Sequence, residues 1–260
     1  MDFIGLEPAA VWRHFSTLCS IPRPSGHEQA VRDHLAGWAQ ARGLGVKVDG
    51  AGNLILSKPA TPGYEDRPGV VLQGHLDMVC QKNAGSAHDF LRDPVRALLR
   101  DGWVVAADTT LGADNGIGVA MALAALEAED IAHPPLEVLL TVDEEAGMTG
   151  ARGLQADALC GRLLINLDTA DWGEFSLGCA GGADVVVDAP LASVAAPAGW
   201  QALRVAVSGL RGGHSGVDIH LQRGNAIKLL VRGLWALVGA DVQFALASIE
   251  GGTARNALPR

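Results

Sequence analysis

Between residues 70 and 168, apolar runs of strand length alternate with segments of helix length: "VVLQGH", "GADNGIGVAMALAALEAED", "PLEVLLTV", "GMTGARGLQADAL" and "RLLINLD". Strands that recur with a helix between them pair side by side and need apolar cover on both faces. The alternation therefore predicts an α/β fold, a mostly parallel sheet flanked by helices. Upstream, residues 7–19 and 27–42 carry helical apolar spacing, and "VKVDGAGNLILSK" reads as two short strands around a Gly-Asn turn. The Ala- and Pro-rich stretch 188–200 reads as a linker. Beyond it, "QALRVAVSG", "NAIKLLVRGLWALVG" and "DVQFALASI" predict one β-α-β unit, too little to cover its own sheet. The expected organisation is a catalytic-type domain over 1–188 and an incomplete α+β domain over 189–260.

At 260 residues and 48% hydrophobic, the chain can bury a sizeable core. A net charge of −9 with no basic stripe argues against a nucleic-acid partner. The N-terminus "MDFIGLEPAAVWRHF" lacks a basic region followed by an apolar core, so no secretory signal is expected. The longest apolar stretch, "IGVAMALAAL", is about half the roughly 20 residues of a membrane span. Cys19, Cys80, Cys160 and Cys179 form no CxxC pair, which predicts reduced thiols and a cytoplasmic protein.

The strand "VVLQGH" runs into "LD", so His75 and Asp77 share one side of an extended chain at its end. Three more acidic signals fall where predicted elements meet: Asp114 before an apolar helix, Glu144–Glu145 after "PLEVLLTV", and Asp168 after "LLIN". Each alone has an ordinary reading, as a helix cap, a solvated turn or a hydrogen-bonded core histidine. Together, at the ends of adjacent strands, the carboxylates would repel one another strongly in a low-dielectric cleft, and divalent cations remove that repulsion. Imidazole with carboxylates suits zinc, with manganese or cobalt as substitutes. Asp77 fits a carboxylate that accepts the other ring N–H of His75 and fixes its tautomer. Asp114 fits a bridge between two ions, and of the Glu pair one can ligate while the other holds a water.

The stretches "QGHLDMVCQKN", "TTLGADNGIGVAMALA", "PLEVLLTVDEEAGMTGA", "INLDT", "LGCAGG" and "GLRGGHSG" resemble the motifs of the aminoacyl-histidine dipeptidases. These are the peptidase D or cytosolic non-specific dipeptidases of the di-zinc metallopeptidase-H clan. The resemblance is collinear along the whole chain. It implies a zinc-exopeptidase-like catalytic domain with a lid, and hydrolysis of Xaa-His and other short dipeptides by a two-zinc-activated water. Residue by residue it implies that His75, Asp114 and Asp168 hold the first zinc. Asp77 orients His75, Asp114 also bridges, Glu145 holds the second zinc and Glu144 is the general acid/base. It further implies a cis peptide at Asp114–Asn115, a tetrahedral-intermediate contact from His214 and a substrate contact from Asn256. The expected partners are a short peptide and a second copy in a homodimer, with no membrane.

Two departures stand out. Cys80 occupies a position where relatives carry Pro. The family's remaining histidine ligand has no counterpart among His14, His27, His34, His75, His88, His133, His214 and His220. The chain is therefore expected to be the N-terminal portion of a longer enzyme or a truncated product, weakly active or inactive by itself. Two alternatives stay open: another enzyme of the clan (aminoacylase, carboxypeptidase or deacylase), and an inactive metal-binding or dimerisation fragment.

Overall fold

The computed structural model describes every residue except 1, 2, 4, 84, 170, 172, 180, 182, 184, 217, 241 and 253–256. The chain divides into two compact units, Met1–Gly178 and Cys179–Arg260, a division ten residues ahead of the expected 188/189 boundary.

The first unit opens with α1 (Ala9–Ser20) and α2 (Gln29–Gln40). In α2 the buried residues are Val31, Leu35 and Ala39, spaced by four, so a single stripe faces inward. Strands β1 (Gly45–Val48) and β2 (Leu54–Lys58) follow. Their turn is held by the Asp49 carboxylate, which accepts from the Ala51 and Asn53 N–H groups at 2.9 Å each. Then come β3 (Val70–His75), a hairpin of β4 (Ala97–Arg100) and β5 (Trp103–Ala106), and α3 (Ala113–Glu127). β6 (Leu136–Thr141), α4 (Thr149–Gly153) and β7 (Leu163–Asn166) complete the unit.

The main sheet has the order β1-β2-β6-β3-β7. It is mixed rather than mostly parallel: β6, β3 and β7 run parallel, whereas β1–β2 and β2–β6 are antiparallel. The antiparallel edge follows from the short Asp49–Asn53 turn, since a tight turn reverses the chain and a parallel neighbour needs a long crossover. Alternation along the strands divides the core. Leu54, Leu56, Val138 and Leu140 join Phe15, Leu18, Leu35 and Leu123 in the main cluster. Ile55, Leu139 and Val71 face the other way, against Ala158. α3 packs between α1 and the sheet, which explains why it is apolar almost all round.

Three sequence expectations change. The β4–β5 hairpin was not predicted, although its "DG" turn was a signal: Asp101 and Gly102 have φ of 52° and 81°, the paired positive values of a two-residue hairpin turn. The helix expected over 147–159 shortens to Thr149–Gly153, because Leu154 and Leu159 turn in to cover the small face of the sheet. In the second unit, α5 (Ala226–Val238) forms, with the Asn225 Oδ1 accepting from the Lys228 N–H at 3.0 Å. A short 3₁₀ turn spans Ile219–Leu221. The segments expected as strands on either side carry no ladder among the described residues. A strand exists through its neighbours, and a lone β-α-β unit offers too few.

All four cysteines are free thiols. No helix of the described residues is long and apolar enough to cross a membrane.

Candidate metal centre

The order β6-β3-β7 decides where the site lies. These three strands are neighbours and parallel, so their C-terminal ends open side by side. His75 is the last residue of β3 and is 1% exposed. Its Nε2 stands 3.0 Å from Asp114 Oδ1 and 3.7 Å from Asp168 Oδ2. Its Nδ1 stands 3.2 Å from Asp77 Oδ1 and 3.1 Å from the Asp77 carbonyl. Asp114 enters from the start of α3, Asp168 from just beyond β7, and Glu144–Glu145 from the turn after β6. One ligand atom each from His75, Asp114 and Asp168 lie within 4.8 Å of one another, and the same holds for His75, Glu144 and Glu145.

Asp77 is fully engaged. Besides facing His75, its carboxylate accepts from the Ser25 hydroxyl at 2.7 Å and from the Glu144 and Glu145 N–H groups at 3.0 Å each. One buried carboxylate thus fixes both the imidazole and the backbone of the glutamate pair. Those hydrogen bonds, set against burial, hold its pKa down to about 2.

The sequence marked Asn115 only through the expected cis peptide before it, yet its side chain ties the site together. Its Oδ1 accepts from the His75 N–H at 3.2 Å, and its Nδ2 donates to the Leu167 carbonyl at 2.9 Å and to Asp168 Oδ1 at 3.3 Å. The peptide bond before it is cis, as expected. Room for this amide comes from Gly74 and Gly118. A Cβ on Gly74 would strike Asn115 Oδ1, and one on Gly118 would meet the Leu167 carbonyl at 2.6 Å. Gly74→Ala is accordingly expected to cost about 1–3 kcal/mol, as overpacking does. Urea unfolding beside the parent checks it, and an unchanged midpoint would show that the amide moves aside freely.

The electrostatics fit a cation. Burial, reinforced by the Asp114 charge, pushes Glu145 up to about 7 and Asp168 up to about 6. Burial also raises Glu144. Asp114 is held below its usual range by the His75 hydrogen bond. Burial pulls His75 down, but the flanking carboxylates outweigh it and hold the ring up at about 10. Protons therefore substitute for positive charge in a set where, among the described residues, no Lys or Arg forms an ion pair with Asp114, Glu144, Glu145 or Asp168. Imidazole with three or four carboxylates is a donor set for zinc or manganese.

A family model described as peptidase family M20/M25/M40 matches residues 71–226, a span that begins inside β3 and takes in every member of the cluster. The chain belongs to that family. Within the M20/M25/M40 peptidases, it is 50% identical over 255 residues to the cytosol non-specific dipeptidase of Escherichia coli K12, covering 98% of this chain and 52% of that protein. Its fold matches the crystal structure of aminoacylhistidine dipeptidase from Vibrio alginolyticus with a TM-score of 0.69 at 47% identity, over 100% of this chain and 53% of that one. An aminopeptidase from Bacillus cereus, at 19% identity and a TM-score of 0.53, shares the fold over 96% of this chain and 63% of its own. The chain spans about half the length of the dipeptidases it matches.

The six residues predicted for the cluster (His75, Asp77, Asp114, Glu144, Glu145 and Asp168) meet at one end of the sheet of this family member. His214 stands in the second unit. There its N–H donates to Asp218 Oδ2 at 2.9 Å and its Nδ1 accepts from the Gly216 N–H at 3.0 Å. Asn256 lies outside the described residues. Ser25 and Asn115 were missed, because a hydroxyl in "RPSG" and an amide beside an acid carry no pattern that separates them from turn residues.

Proposed function

We propose that the chain carries the metal-binding half of a dipeptidase that hydrolyses Xaa-His and other short unblocked dipeptides. The reading rests on one observation: an imidazole with a carboxylate on each ring nitrogen, ringed by three further carboxyl groups, at the C-terminal ends of parallel strands. His75, Asp114 and Asp168 would hold a first zinc, and Asp114 with Glu145 a second. Manganese or cobalt would serve in its place. A divalent cation there supplies Lewis acidity for a scissile carbonyl and lowers the pKa of water from 15.7 to roughly 7.

The protein's own groups do the rest. Asp77 accepts from His75 Nδ1–H, so a bound cation would take the place of the proton on Nε2 and find that nitrogen oriented as its ligand. Glu144 is the general base and then the acid. Its carboxylate takes a proton from the attacking water and returns it to the leaving amine. Burial raises its pKa and so strengthens it as a base. His214 would contact the tetrahedral intermediate, as the family resemblance implies. Asn256 would contact the substrate. The cytosolic location named for the Escherichia coli relative supports a cytoplasmic enzyme, as do the free thiols.

A panel of dipeptides, tripeptides and N-acyl amino acids, assayed with and without a chelator, tests the reading. Chelator-sensitive turnover confined to dipeptides supports it, and preference for N-acyl amino acids transfers the chain to an aminoacylase reading. Turnover by this chain is expected to be weak beside a full-length relative, and comparable turnover would overturn that expectation. Glu144→Gln is expected to lower kcat by about 10²–10⁴-fold with zinc content per chain unchanged. A glutamine variant that keeps its turnover removes Glu144 from the reaction.

A further inference from the structure

The stretch "RPSGHE", residues 23–28, belongs to none of the strands or helices that carry the cluster, yet it touches three of the loops that do. Arg23 is 3% exposed. Its Nη1 donates to the carbonyls of Leu76 at 3.0 Å and Asp77 at 2.9 Å, just past the end of β3. Its Nη2 donates to the Gly112 carbonyl at 2.5 Å, two residues before Asp114. Ser25 holds the Asp77 carboxylate. Glu28, itself buried, accepts from the Asp143 N–H at 2.9 Å, at the start of the turn that carries Glu144 and Glu145. Pro24 pairs with Met78 in an isolated parallel bridge.

The surroundings keep space for this guanidinium. A Cβ on Gly112 would lie 2.6 Å from Arg23 Nη2, and one on Gly116 would lie 2.8 Å from it. The Arg23 Nε–H is buried with no protein acceptor. A residue present only for stability would normally be satisfied throughout. Nor does Arg23 help by its charge, since a cation beside Asp77 and Asp114 opposes the arrival of another cation. What it contributes is shape: a rigid planar fork that spans two loops, which a lysine's single ammonium cannot do.

We infer that Arg23, aided by Ser25 and Glu28, is a positioning residue that sets the spacing between His75 and Asp114 and thereby the affinity of the centre for a divalent cation. The inference rests on the metal-centre reading proposed above. Zinc titration of the 260-residue chain in competition with a chromophoric chelator tests it, on the parent, Arg23→Lys, Arg23→Met and Ser25→Ala. Near-UV circular dichroism and thermal unfolding of the metal-free proteins report folding separately.

Both arginine variants are expected to bind zinc about 10–100-fold more weakly, and Ser25→Ala about tenfold more weakly, as for lost supports of metal ligands elsewhere. A role through charge alone gives the opposite order, with Arg23→Met tighter than the parent and Arg23→Lys equal to it, and that result overturns the inference. A purely structural role moves the unfolding midpoint and leaves the affinity of the folded variants at the parent value, which overturns it as well. If the arginine variants do not fold, Ser25→Ala decides, and unchanged affinity there sinks the proposal. A parent chain that binds no zinc overturns the metal-centre reading, and the inference falls with it. That failure appears before any variant is compared.

Discussion

Zinc added to the metal-free chain at about 1,000 times its dissociation constant raises the stability of the unit that carries the site by about 4 kcal/mol. For a unit of this size that corresponds to roughly 8–16 °C in thermal midpoint. The cause is the cluster itself, which keeps His75, Asp114, Asp168, Glu144 and Glu145 together whether or not their repulsion is relieved. His75→Ala removes the imidazole that would hold the first zinc with Asp114 and Asp168. A structural zinc site holds its ion by roughly 10–16 kcal/mol over about four ligands, so one ligand carries a share worth about 10²–10³-fold in affinity. At the same zinc concentration the midpoint gain in the variant is then expected to shrink to about 1–5 °C. Differential scanning calorimetry with and without zinc measures both. Equal gains in parent and variant would place the ion elsewhere and dissolve the proposed centre.

The metal-free chain is expected to lose stability as pH rises from about 4 to 8, and zinc is expected to abolish that trend. Glu145 is pushed from 4.5 up to about 7 and Asp168 from 3.8 up to about 6, both chiefly by burial and then by the Asp114 charge. A carboxyl group whose folded pKa is raised binds its proton more tightly in the folded state. Its contribution is complete below the ordinary value and gone once pH passes the raised one. His75 adds a contribution complete below 6.5 and lost toward about 10. Asp77 works the other way: burial opposes its ionisation, but the His75 and Ser25 hydrogen bonds prevail, so its contribution is present above 3.8 and lost as pH falls toward about 2. Between pH 4 and 8 the first two groups dominate. With an allowance for partial exposure, the loss is on the order of 2 kcal/mol. Zinc must displace these protons, so its affinity rises with pH, and near neutrality binding releases at least the His75 proton. Titration calorimetry in two buffers of different ionisation enthalpy counts the released protons. A count of zero near neutrality would contradict a protonated His75 in the metal-free centre.

Much of the site was legible before any coordinates. His75, Asp77, Asp114, Glu144, Glu145 and Asp168 were marked because each acid or imidazole follows or precedes an apolar run, and such junctions are where open sheets expose chemistry. Helices α1, α2 and α3 and strands β3, β6 and β7 fell close to their predicted places, since alternation and fourfold spacing are local properties of the chain. The sheet's antiparallel edge was not legible. The pattern of β2 is compatible with either pairing, and only the short turn to β1 with the contact to β6 settles its direction. The β4–β5 hairpin escaped because its large apolar residues Leu98, Leu99 and Trp103 are exposed and break the alternation that marks a half-buried strand, Trp103 at 75%.

The amino-acid sequence by itself marked which side chains are candidates for the chemistry and where much of the chain extends, coils and turns, because periodicity and turn residues act over a few neighbours. Only the tertiary structure decided that β3 lies between β6 and β7, that Asp77 is consumed in holding a histidine and two glutamates, and that Asn115 and Arg23 bridge loops far apart in sequence. The pairings of Asn115 and Arg23 span 40 to 89 residues, and hydrogen-bonding groups such as an amide or a guanidinium look alike in sequence whichever carbonyl they will meet. Partner choice is made by the packing of elements. It leaves no local trace.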